Sequence, residues 1–267
     1  MEKRNIKGIF SLRRFVLLLK RDFSSGYRSV LIAMAAVAGF AILVSVLSML
    51  RRSNGEFHLS LYTNLLFIGG FIVTSLAFKE LHQNERSYFY LTLPGSRLEK
   101  FASKLLVTSL GYAVGTLFFY TAVAALSEGI NKLIFGYGHP FFNPFRLEVL
   151  LRVAVYLVTQ SIFLVGSTYY RKMAFLKTSL VTILLIIGFG IVGFLTLYLM
   201  FRGHFHDVYL DPRIRAVLDE LNRSGRLEVD LRAVAEGFLL ALKILFWAVM
   251  APVCWVIGYL RLSETEV

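Results

Sequence analysis

The sequence predicts an all-α integral membrane protein with six transmembrane helices, and three observations carry that expectation. Of its 267 residues, 57% are hydrophobic and 17% charged, whereas charged residues make up about a quarter of a soluble domain. Six stretches approach the roughly twenty apolar residues that a helix needs to cross the hydrocarbon core with every backbone group satisfied internally. Lysine and arginine, which give a formal charge of +12, gather in the segments between those stretches.

In chain order, residues 9–23 (IFSLRRFVLLLKRDF) are too short and too charged to cross. Helical spacing places Leu12, Phe15, Val16, Leu19 and Phe23 along one face, so the segment is expected to lie as an amphipathic helix in the membrane interface. Arg13, Arg14, Lys20 and Arg21 interrupt the apolar run behind the basic start, and no small-residue cleavage site follows, so the start is expected to be retained. The spans are expected at 30–50, 60–78, 105–126, 153–170, 178–201 and 238–260.

An even number of spans puts both termini on one side. Segments 1–29, 79–104, 171–177 and 261–267 hold seventeen Lys and Arg against seven acids, while 51–59, 127–152 and 202–237 hold eleven against ten. The more basic set is expected to be cytoplasmic, with both termini, in a cell (inner) membrane. Within the outer segment 202–237, Asp211 can cap a helix that has Pro212 at its first position, and Ile214, Val217, Leu218 and Leu221 make an apolar stripe. Ser224 and Gly225 end it, and a second short helix after Asp230 would complete an extracytoplasmic helical hairpin between spans five and six.

These spans contain no Asp or Glu, and their one strong cation, Lys243, sits near the outer end of the sixth, where it can snorkel to the interface as Arg152 can beside the fourth. Proton-coupled pumps and intramembrane hydrolases keep carboxylates or histidines at depth, so the pattern speaks against both. No catalytic, cofactor-binding or metal-binding residue is assigned. His204, His206 and Asp207 stand close together, but two histidines in an outer loop without a third ligand make a poor metal site. The GxGxxG match at 188–193 lies inside a span, where backbone amides are already used, so its glycines are expected to serve close helix packing, as are Gly111 and Gly115. Asn64, Gln160 and Ser161 are expected to make interhelical hydrogen bonds. Cys254, the single cysteine, excludes an intramolecular disulfide. The basic segments lack interleaved stacking aromatics, which argues against nucleic acid as a partner.

The most patterned inner segment is 79–104, KELHQNERSYFYLTLPGSRLEKFASK. Pro94 and Gly95 make a turn, Ser96 can N-cap a helix, and Glu99 three residues later completes a capping box. That helix should run into the third span. Tyr88, Phe89 and Tyr90, beside Leu91 and Leu93, need burial at the lipid interface or against another protein.

In this segment the sequence resembles the type-2 family of ABC transporter permeases, which shows an acidic-basic pair, a Gly-Thr stretch, a Leu-Pro-x-Ser-Arg element and a lysine leading into the third helix. Glu85-Arg86, Leu93-Pro94-Gly95-Ser96-Arg97 and Lys104-Leu105 stand in that order; Ser87-Tyr88-Phe89-Tyr90 replaces the Gly-Thr part. The resemblance implies a permease of an exporter that works as a dimer with a second copy or homologue. It also implies a coupling segment, 79–104, that seats in a separate cytoplasmic ATPase. Tyr88, Phe89, Tyr90, Pro94, Gly95, Ser96, Arg97, Glu99 and Lys100 are then the expected coupling residues. ATP and Mg would bind that partner, because no GxxxxGK[ST] occurs here. The transported substrate stays open. The alternative is a membrane scaffold, or a membrane-embedded enzyme, the latter disfavoured by the missing intramembrane acids.

Overall fold

A computed structural model describes residues 10–24, 27–50, 57–82, 95–208, 240 and 243–265. Its described residues are mostly helical, without strands, and six helices are long and apolar enough to cross a membrane. A short helix, α1 (Leu12–Ser24), precedes them. The spans are α2 (Tyr27–Leu50), α3 (Phe57–Leu81), α4 (Arg97–Phe135), α5 (Leu147–Tyr169), α6 (Ala174–Leu195, continuing as helix to Val208) and α7 (Leu245–Glu264). The chain divides into one unit of Met1–Phe175 with Ala251–Val267, and a second of Leu176–Met250. The proposed outer hairpin falls almost wholly outside the described residues; His204, His206 and Asp207 lie in the last turns of α6.

In the first unit α3, α4 and α5 form the interior: 39%, 33% and 44% of their apolar windows are buried, against 11% for α2. Tyr62, Leu66, Ala113, Tyr120, Ala124, Phe142, Val149 and Tyr156 make one core cluster. Ala77, Phe78, Phe101, Leu164 and Leu262 make another, nearer the start of α4. Burying these rings keeps the three helices in register, since helices in lipid associate by packing and hydrogen bonding rather than by escape from water.

Two π turns, Leu65–Gly69 in α3 and Val107–Gly111 in α4, interrupt the regular ladder. Such turns widen the helix locally and displace carbonyls that hydrocarbon cannot solvate. Tyrosines from neighbouring helices bond to them: Tyr112 Oη donates to the Leu65 carbonyl at 2.8 Å, and Tyr156 Oη to that of Thr108 at 2.7 Å. Gly69 and Gly70 make room for those rings, because a Cβ at either would stand 2.3 Å from a tyrosine atom. In the first unit a Cβ on Gly258 would also crowd Phe101, at 3.2 Å, whereas one on Gly115 would meet nothing within 4 Å.

Gln160 does bridge helices, accepting from Thr74 Oγ1 at 3.3 Å, and Ser161, which donates to the Val158 carbonyl of its own helix, also meets Cys254 of α7; Asn64 is exposed. The largest boundary difference concerns the third span, expected at 105–126. The capping box starts its helix at Arg97, and no breaker occurs until Gly136, whose left-handed φ of 76° ends it. This longer helix carries Glu128, just past the expected span end, into the packed interior.

Candidate functional site

At the end of the unit where α4 begins, α1 lies against the first turns of that helix. The capping box forms as the Ser-x-x-Glu spacing dictates: Glu99 N donates to Ser96 Oγ at 3.2 Å, and Ser96 N donates to Glu99 Oε2 at 2.8 Å. The other carboxylate oxygen reaches α1, accepting from the Ser11 backbone amide and from Arg14 Nη2 at 3.3 Å. Three further contacts fix α1. Asp22 accepts from Ser103 Oγ at 2.8 Å and Lys104 Nζ at 2.9 Å, and Arg21 pairs with Glu80 at 3.2 Å. Leu18 is buried beside Gly95, where a Cβ would stand 3.1 Å from its Cδ1. Leu12 and Val16 of the predicted apolar stripe stay exposed.

This geometry sorts the predicted coupling residues. Glu99 is fully buried and Lys100 nearly so: a capping-box carboxylate points back at its own N-cap, and this one is also covered by α1. Gly95, Ser96 and Arg97 are partly exposed at the start of the helix. Tyr88, Phe89, Tyr90 and Pro94 lie outside the described residues.

A second constellation, absent from the sequence reading, occupies the opposite end. Glu128, at the far end of α4, receives His58 from the first turn of α3 and His139 from the α4–α5 loop. His58 Nε2 lies 2.8 Å and His139 Nδ1 3.2 Å from Glu128 Oε1. Asn131 Nδ2 donates to that same oxygen at 3.2 Å and to Ser45 Oγ of α2 at 2.9 Å. The outer nitrogens of both rings meet hydroxyls, His58 Nδ1 with Tyr120 Oη at 3.1 Å and His139 Nε2 with Ser48 Oγ at 3.1 Å. Phe57 stacks on His139 with ring centroids 4.8 Å apart.

Two glycines shape this end. Gly136 turns the chain back over α4, and Gly138 passes so close that a Cβ there would stand 2.3 Å from Glu128 Oε2. The side chains of His58, Glu128 and His139 are each about 95% buried. A usable signal was present in the sequence: Tyr120, Ala124, Glu128 and Asn131 follow i, i+4, i+8 and i+11, which puts the acid on the buried stripe of α4. No protein-family model, no curated protein and no solved structure matches this chain.

Proposed function

We propose that this protein is the membrane-spanning permease subunit of an ATP-driven ABC transporter, an exporter. In this reading it sits in a cell (inner) membrane with both termini in the cytoplasm, and works as a dimer with a second copy or a homologue. A separate cytoplasmic ATPase supplies the energy. The observation that carries the reading is the construction of the coupling end. The segment holding Leu93-Pro94-Gly95-Ser96-Arg97 opens directly into α4, a helix of 39 residues that is about 58 Å long and unbroken by proline or by a loop. Displacement of Arg97 is therefore passed along one element to the far side of the bundle.

The clamp on α1 belongs to the same device. Held by Glu99 and Asp22, α1 moves with the base of α4 while its exposed Leu12 and Val16 rest in the interface. Arg97 and the Tyr88–Tyr90 run would contact the ATPase; Glu99 and Lys100 would act from inside, by keeping the helix start rigid.

Co-purification from native membranes tests this. The wild-type chain should retain a P-loop ATPase, identified by mass spectrometry and nucleotide hydrolysis. Arg97→Glu, and separately a triple change of Tyr88, Phe89 and Tyr90 to Ser, should reduce its yield at least about tenfold, roughly 1.4 kcal/mol of binding, without altering membrane insertion. Absence of such an ATPase from the wild-type preparation would remove the reading.

A further inference from the structure

We propose that His58, Glu128 and His139 form a binding site for a divalent transition metal of the zinc class, which staples together α3, α4 and the α4–α5 loop at the face opposite the α1 clamp. This inference does not rest on the transporter reading. On the charge bias of the loops the site faces the extracytoplasmic side, where metal can arrive from outside the cell.

The donor set is the first argument. Two imidazoles and one carboxylate are a three-protein-ligand set suited to Zn²⁺, leaving a fourth position for water. One ligand atom from each residue can be chosen so that all lie within 4.8 Å of one another, and among the described residues no other such group occurs. A tetrahedral ion with bonds of about 2.0–2.1 Å separates its ligands by about 3.3 Å. The observed 2.8 and 3.2 Å spacings from the histidine nitrogens to Glu128 Oε1 need only a small opening to admit one.

The second argument is an imbalance in hydrogen bonding. Glu128 Oε1 is crowded by three nitrogens, while Glu128 Oε2 and Asn131 Oδ1, both buried, have no donor among the described residues. Buried acceptors are rarely left so in native interiors. A cation between the carboxylate and the rings supplies the missing partner for Oε2. Gly138 leaves the approach to that oxygen free of a side chain, since a Cβ would stand 2.3 Å away.

The third argument is the outer layer. A metal-bound histidine presents its other nitrogen as an N–H donor, and that N–H needs an acceptor to hold the ring's orientation. Tyr120 Oη and Ser48 Oγ stand at those nitrogens, and a hydroxyl can accept there as readily as it donates. Each ring can thus take the metal-binding tautomer without losing its second contact.

The experiment uses the full-length chain purified in detergent, stripped with EDTA and titrated with ZnCl2. The expected results are about one zinc ion bound per chain, a higher melting temperature with zinc than with EDTA, and intense visible bands when Co²⁺ replaces zinc in a tetrahedral site. His58→Gln and Glu128→Gln should abolish binding, and Tyr120→Phe should weaken it about 10- to 100-fold through the outer layer. A double variant, His204→Gln with His206→Gln, should bind as the wild type does. If any ligand variant fails to fold, the zinc shift and Co²⁺ spectrum of the wild type decide alone. A melting temperature indifferent to zinc together with no Co²⁺ band would overturn the proposal and leave a hydrogen-bonded network only. Loss of stoichiometric binding in the His204/His206 variant would overturn it as well, by moving the site to α6.

Discussion

Replacing Glu99 with alanine should release α1 from the base of α4. The side chain is wholly buried and accepts the amides of Ser96 and Ser11, so its removal leaves two backbone donors to find new partners. An unmade bond to a buried group costs about 1–3 kcal/mol, and Ser11, half-buried, sits toward the lower end of that range. The Arg14 pair adds at most about 1 kcal/mol, because the arginine side chain is 40% exposed. Ser96 Oγ still accepts from the backbone amide at position 99, so half of the cap survives. The expected loss is about 2–4 kcal/mol, which corresponds to amide exchange in residues 12–24 about 30- to 700-fold faster. Hydrogen exchange read by mass spectrometry on detergent-solubilised protein measures this directly. Exchange around Tyr120 at the other end of α4 should not change. If α1 exchanged at its wild-type rate in Glu99→Ala, the clamp as described here would be wrong.

Asp22→Ala should loosen the same helix by about 3 kcal/mol, since it strands Lys104, whose ammonium is mostly buried, and the double variant with Glu99→Ala should add little once α1 has detached; exchange of residues 12–24 again reports it. Tyr156→Phe deletes the hydroxyl bonded to the Thr108 carbonyl and should cost about 0.6–1.7 kcal/mol, the range for hydrogen bonds within a membrane bundle, in reversible SDS unfolding.

Some features follow from short-range pattern. Six apolar stretches gave the six helices, and Ser96 with Glu99 gave the capping box, because both depend on residues within a few positions of one another. Helix ends were less legible. Polarity alone suggested a stop near Leu126, but hydrogen bonding and the absence of a breaker carry α4 on to Phe135, with Gly136 as the true terminator.

Long-range pairings were beyond pattern reading. Ser11 and Asp22 meet α4 across more than 80 positions, and His58 meets Glu128 across 70. Nothing in the local sequence of His58 distinguishes an outer-loop histidine from a buried one. The π turn of α3 was also beyond local pattern, since it is met by a tyrosine ring from another helix, Tyr112 beside Gly69. Glu99 shows both cases at once: its cap with Ser96 follows from a three-residue spacing, while its bond to the Ser11 amide joins residues far apart in the chain.

The central claim is that the segment leading into α4 receives force from a cytoplasmic ATPase, and a photo-crosslinking amino acid at position 97 tests it most directly. Irradiation of native membranes should join the chain to a P-loop ATPase, with less adduct when ATP is trapped in a different catalytic state. Adducts only to lipid or within the chain itself, in every nucleotide condition, would contradict the account.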